Sequence, residues 1–213
     1  MKYKIYIIIF LLFFILKSDD KDFYTDIKNI ENPNNYLVLV NKNNKLDKYY
    51  VPKDLETISN KFSYDNKKLR KVAKEAFEKL SYDASLFGYR IIATSAYRDY
   101  NYQSNLFNNY VKEKGIEYAL MCSAKEGHSE HQTGLAIDVE GSNLDYDDFE
   151  NSKEFNWMIT NAHKYGFILR YPKGKEDITG FKYEPWHYRY VGIDEATYIY
   201  NNKITLEEYI QKK

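Results

Sequence analysis

The chain has 213 residues, enough for one domain with a core of its own but not for two. Its 31 Lys+Arg residues cancel its 31 Asp+Glu, so the charge balance offers nothing to a nucleic-acid partner. The one cysteine, Cys122, excludes an internal disulfide and a Cys-rich zinc site, which leaves carboxylates and four histidines (His128, His131, His163 and His187) as the available metal ligands.

Taken in chain order, Lys2 and Lys4 precede an unbroken apolar run over residues 5–16, closed by Lys17. A basic start followed by 12 apolar residues fits the hydrophobic region of an export signal. As a helix the run is about 18 Å long, short of the roughly 30 Å hydrocarbon core. No A-x-A cleavage site is visible, so residues 1–17 are read as a signal peptide or a membrane anchor, the only membrane contact expected. Residues 1–17 hold three lysines and no acid, so the remainder of the chain has 28 basic and 31 acidic residues and is mildly acidic. Residues 18–35 are polar, with a turn cluster at Asn32, Pro33, Asn34 and Asn35, and read as a tether to a domain over residues 36–213.

Residues 36–40 (YLVLV) and 48–51 (KYYV), separated by an Asn/Lys turn, predict a hairpin. Leu69, Val72, Ala73, Ala76, Phe77 and Leu80 recur at helical spacing and predict a helix over about 66–87, stopped by Gly88. Residues 89–95 read as a strand, and Asp99 caps a helix that runs to Lys114 and closes on Gly115. A short helix over 116–121, a loop over 122–134 and a strand over 135–139 come next. An acidic segment leads into a helix over about 151–164, then a loop over 171–182, a last strand over 186–191 and a short helix from about Asp194. Helices and strands mix without strict βαβ alternation, so the predicted class is α+β: a single domain of helices packed around a small antiparallel sheet.

Two segments carry the chemistry. The first is Ser129-Glu130-His131-Gln132-Thr133-Gly134-Leu135-Ala136-Ile137-Asp138; the second is Glu184-Pro185-Trp186-His187-Tyr188-Arg189. A hydrolytic zinc site takes three protein ligands and keeps one position open, and His131, Asp138 and His187 offer two imidazoles and a carboxylate. Glu184, three residues before His187, is placed to act as a non-ligating base. His-x6-Asp and Glu-x-x-His are each common by chance, and spacing alone leaves a structural role for these residues open. Asp138 is the less ordinary signal, because an ionised carboxylate inside the apolar strand LAIDV must be paired or metal-bound.

These two segments, with a third over Thr94-Ser95-Ala96-Tyr97-Arg98-Asp99-Tyr100-Asn101-Tyr102-Gln103, resemble the D-alanyl-D-alanine carboxypeptidases of the VanY type, zinc peptidases with L,D-carboxypeptidase and D,D-dipeptidase relatives. The likeness runs in order through roughly residues 36–195. It implies one Zn2+ per chain on His131, Asp138 and His187, and Glu184 as catalytic base. It implies Arg98 as the residue that binds substrate and stabilises the oxyanion, with Gln103 and Ser129 facing the substrate. It implies removal of the C-terminal D-alanine from peptidoglycan stem peptides, the D,D bond favoured over the L,D bond of tetrapeptides. A non-catalytic cell-wall binding module, or an endopeptidase, is the rival from outside this reading; a module has no need of Glu184. One departure from the family pattern is Glu126 before Gly127, where a proline is usual.

Of the remaining residues, His128 reads as a loop or supporting residue, because as a fourth ligand it would fill the open position. His163 fits a helix end, favourable with the macrodipole. Trp186 either walls the pocket or packs in the core. Arg189 either orients Glu184 or Asp138 or forms a structural ion pair. The acidic run over residues 145–148 reads as solvated loop, Cys122 as a small buried hydrophobe, and the chain as an exported monomer.

Overall fold

The computed structural model describes residues 23–142 and 146–213. The apolar run expected to be a signal or anchor lies outside the described residues, as does Asp145 of the acidic loop. Among the described residues no helix is long and apolar enough to cross a membrane.

The elements in order are β1 (Lys28–Asn29), β2 (Asn44–Lys45), β3 (Leu55–Thr57), β4 (Lys68–Arg70), α1 (Lys71–Ser85), β5 (Ile92–Ser95), α2 (Tyr100–Lys114) and α3 (Ile116–Cys122). A 3-10 turn over Glu130–Thr133 then leads into β6 (Ala136–Glu140). After it come α4 (Lys153–Asn161), β7 (Phe167–Leu169), α5 (Glu176–Thr179), β8 (His187–Tyr190), α6 (Ile193–Asn202) and α7 (Leu206–Ile210). The mixture of helices and small sheets is α+β.

The principal sheet has the order β5-β6-β8-β7, with every neighbouring pair antiparallel. Strand alternation sorts its two faces. Ile137 and Val139 of β6 and Tyr188 and Tyr190 of β8 enter the main core with Phe77, Leu80 and Phe167. Asp138, His187 and Arg189 take the opposite face. Helix α1 covers the core face because Ala73, Phe77, Leu80, Ser81 and Ala84 recur along one stripe, all buried. Asp99 caps α2 by accepting from the Tyr102 amide at 2.7 Å, and Gly115, at φ +87°, ends it.

The expected hairpin over 36–40 and 48–51 does not form. Asn41 and Asn44 close a tight turn, and β2 pairs in parallel with β1. The carbonyls of Tyr36 and Val38 accept from the Arg189 guanidinium, at 3.0 and 2.8 Å, so this apolar stretch is pinned by a buried cation instead of a partner strand. The helix expected from residue 66 starts at Lys71, because residues 68–70 pair with β3. Strands β3 and β7 and helices α5 and α7 were not anticipated.

The described part of the expected tether, residues 23–35, packs on the domain. Tyr24 meets the His128 ring edge-on at 5.0 Å, and Phe23 lies under the Lys42 ammonium, 4.9 Å from the ring centroid. Lys42 is buried, donates to the Leu120 carbonyl at 2.7 Å and lies 4.7 Å from the Phe181 ring, so it joins the amino-terminal segment to α3 and to the loop before β8. Burial lowers its pKa from 10.5 to about 8, against the pull of Cys122. Between pH 8 and 10.5 the unfolded lysine holds a proton that the folded one has released, so stability rises with pH across that window. Urea unfolding of wild type and Lys42→Met at several pH values should show the wild-type-minus-variant difference climbing from about pH 8 to about pH 10. A flat difference would mean that the amine stays charged in the fold.

Candidate active site

Sheet register assembles the site. Ser95 of β5 lies opposite Asp138 of β6, and Asp138 lies opposite His187 of β8, so three strands place these residues in one row. His131 arrives from the 3-10 turn that precedes β6. Gly134 makes that approach possible: it sits at φ +66°, and a Cβ there would lie 2.8 Å from Leu55 Cδ2 and 3.1 Å from Arg70 Cγ. Thr133 steadies the turn by donating its hydroxyl to the Glu130 carbonyl and accepting from the Leu135 amide.

His131, Asp138 and His187 are all buried, and one donor atom from each falls within 4.8 Å of the others. His131 Nδ1 is 2.6 Å from the Ala96 carbonyl, which requires the proton there and leaves the Nε2 lone pair 3.3 Å from Asp138 Oδ2. That buried Nε2 has no hydrogen-bond partner among the described residues. His187 Nδ1 is 2.8 Å from Asp138 Oδ1. Two imidazole nitrogens and a carboxylate oxygen, converging from buried positions, fit a zinc ion with one position left for substrate or water.

The electrostatics are those of a desolvated charge cluster. Burial lowers the His131 pKa to about 4, with Arg98 adding to the effect. Burial also disfavours the Asp138 charge, but His131 and His187 outweigh it and hold the carboxyl well below its usual range. Burial works against a charged His187, yet its hydrogen bond to Asp138 and the neighbouring Glu130 carboxylate raise it to about 9. Glu184 moves the other way: burial raises its carboxyl to about 7, opposed by His187. Its Oε2 is 3.8 Å from His187 Nδ1 and its side chain is 12 % exposed.

These groups open onto a cleft of about 540 Å³, lined among others by Ser95, Arg98, Ser129, His131, Asp138, Glu184 and His187, with Tyr102, Tyr110, Tyr118, Tyr183 and Trp186 forming aromatic walls. Trp186 both lines the cleft and packs against the main core. Arg98 is held by Ser95 Oγ at 2.9 Å and by Gln103 Oε1 at 3.0 Å, and reaches Asp138 Oδ2 at 3.4 Å. Ser129 Oγ accepts from the His131 amide at 3.3 Å, on the cleft wall.

Gln103 does not face the cleft as expected. It is fully buried, and its amide nitrogen donates to the Ala124 carbonyl and to Ser123 Oγ while its oxygen holds Arg98. Its place is behind the arginine. His128 stands apart from the three donors, with Nδ1 2.9 Å from the Asn41 carbonyl. His163 lies in a 3-10 turn, stacked on Tyr200 at 4.0 Å. Cys122 is only half-buried, at the cleft edge. Arg189 orients neither Glu184 nor Asp138: it is buried against Glu130, with Nη1 donating to Oε1 at 2.6 Å. Sequence reasoning missed Glu130, Arg170 and Glu207, which form one buried ion network with Arg189. It also missed Tyr171, stacked on His187 at 4.9 Å.

Comparison with known proteins gives the family and the fold. The family model for VanY, D-alanyl-D-alanine carboxypeptidase, matches residues 66–193. The chain is 42 % identical to YodJ of Bacillus subtilis over 208 residues, covering 92 % of this chain and 76 % of that protein. It is similar to the solved LdcB LD-carboxypeptidase, with a TM-score of 0.82 and 42 % identity over 88 % of this chain and 91 % of that one. It is also similar to a vancomycin-resistance D,D-pentapeptidase VanY solved in complex with Zn(II), with a TM-score of 0.71 and 34 % identity over 82 % of this chain and 98 % of that one.

A cation held by the three donors binds only the folded chain. Zinc at a hundred times its Kd should therefore stabilise the fold by about 2.7 kcal/mol. Thermal unfolding should show a higher Tm with zinc, reversal by a chelator, and no zinc response in His131→Ala. An unchanged wild-type Tm would count against the site.

Proposed function

We propose a function for a chain that belongs to the VanY family of D-alanyl-D-alanine carboxypeptidases: a zinc-dependent enzyme that removes the C-terminal D-alanine from peptidoglycan stem peptides. The observation that carries this reading is the convergence of three buried donors, His131, Asp138 and His187, with Arg98 and Glu184 on one cleft. The Zn(II) in the related D,D-pentapeptidase supports zinc as the metal. When bound, zinc supplies Lewis acidity to the scissile carbonyl and acidifies water.

The chain's own residues do the rest. Glu184, its carboxyl raised to about 7 by burial, takes a proton from the attacking water as the C–O bond forms. It returns that proton to the leaving amine as the C–N bond breaks. Arg98, fixed from behind by Gln103 and Ser95, presents a guanidinium to the developing oxyanion and the substrate carboxylate. Ser129 contributes a hydroxyl to the same wall. The reading extends to export, supported by the basic start and the apolar run over residues 5–16. A binding module without turnover is disfavoured, since it would have no use for a base beside three donors.

The bond cleaved has two readings. The D,D bond of pentapeptides is supported by the sequence blocks and by the related D,D-pentapeptidase. The L,D bond of tetrapeptides is supported by the greater likeness to the LD-carboxypeptidase, at 42 % identity and a TM-score of 0.82. Residues 20–213, loaded with zinc and incubated with a stem pentapeptide and a stem tetrapeptide, should release one D-alanine, read by mass spectrometry. Release from the pentapeptide alone assigns the D,D bond, and release from the tetrapeptide assigns the L,D bond. Glu184→Ala should keep zinc and lose at least about 100-fold in turnover, the low end of what a positioned base contributes. Cleavage of neither peptide by zinc-loaded wild type would contradict the proposal.

A further inference from the structure

Glu130 is a wholly buried carboxylate next in sequence to a candidate ligand, and the hydrolytic reading gives it no task. Its oxygens are used unequally. Oε1 accepts from both Arg170 Nε at 2.8 Å and Arg189 Nη1 at 2.6 Å. Oε2 has no hydrogen-bond partner among the described residues, and neither does His187 Nε2. These two orphaned atoms face each other at 3.7 Å. Both guanidiniums are on Oε1, so Oε2 is the carboxylate oxygen that lies toward the imidazole.

The imidazole is oriented to match. His187 Nδ1 points to Asp138 and Glu184, the cleft side, and Nε2 points into the protein toward Glu130. A neutral imidazole that ligates a metal through Nδ1 must carry its proton on Nε2. A shift of roughly 0.8 Å brings Nε2 and Oε2 to an ordinary hydrogen-bond distance. His131 has the equivalent support already in place, the Ala96 carbonyl on its Nδ1. We infer that Glu130 is the positioning residue of His187: its Oε2 accepts a hydrogen bond from Nε2–H, fixes the tautomer that leaves Nδ1 free for the metal, and the carboxylate is itself held by Arg170 and Arg189.

The chain of contacts continues outward. Arg170 gives its other nitrogens to Glu207 of α7, at 2.9 and 2.6 Å. The carboxy-terminal helix therefore braces the ligand through two buried ion pairs. The inference rests on the zinc reading above and deepens it.

Two measurements test it. In zinc-loaded wild type, a proton–nitrogen correlation of the histidine rings should show a slowly exchanging proton on His187 Nε2 and none on Nδ1. Chelator competition on folded Glu130→Gln should show zinc bound about 10- to 100-fold more weakly than by wild type, at unchanged stoichiometry. Stoichiometric zinc in wild type with an unprotonated Nε2, or with equal affinity in the variant, would overturn this inference and leave the zinc reading standing. A wild type that binds no zinc would overturn both. If Glu130→Gln does not fold, the wild-type spectrum alone decides.

Discussion

An ionised aspartate inside a buried sheet has to be compensated where it sits, because it is almost wholly withdrawn from solvent and an unpaired charge there is costly. Asp138 is that group, and the site is arranged around it. Strand register puts His187 opposite it on one side and Ser95 on the other, the 3-10 turn brings His131 Nε2 to 3.3 Å, and Arg98 reaches it at 3.4 Å. A metal among the same donors would satisfy the same demand. The grouping that compensates the charge is therefore also the grouping that can bind a cation.

A second layer of buried charge stands behind the first. Glu130 and Glu207 face Arg170 and Arg189, two acids against two bases, with almost no solvent contact. Burial would push Glu130 up, yet the two guanidiniums hold it below the usual carboxylate range. Such networks are not a strong source of net stability, since desolvation offsets much of the attraction. What this one provides is geometry. It links β7, β8, the turn carrying His131, the coil over residues 36–38 and α7 into a single frame around His187. The same frame bears on why residues 36–40 form no strand: the carbonyls of Tyr36 and Val38 are committed to Arg189.

Signals that act over a few residues were legible in the sequence. Asp99 and Gly115 bound α2, the apolar stripe of α1 marks its core face, and an aspartate in LAIDV announces a buried charge with partners. Long-range ionic partners carry no such signal. Glu130 meets Arg170 and Arg189 across 40 and 59 residues of chain, and no periodicity connects them. Strand β7 is three residues long, too short for alternation to show. Gln103 illustrates a different limit. Its place in the block with Arg98 pointed to the cleft, but that spacing on α2 turns it inward, where it holds the arginine from behind.

The central claim is that one zinc ion binds between His131 Nε2, the Asp138 carboxylate and His187 Nδ1. Anomalous diffraction at the zinc edge from crystals of the zinc-loaded protein tests it most directly. The account predicts a single strong peak about 2.0–2.2 Å from each of those three donors, with Glu184 and Arg98 facing the remaining coordination position and Glu130 outside the coordination sphere. A peak elsewhere, or one coordinated by Glu184 or Glu130 in place of Asp138, would contradict it.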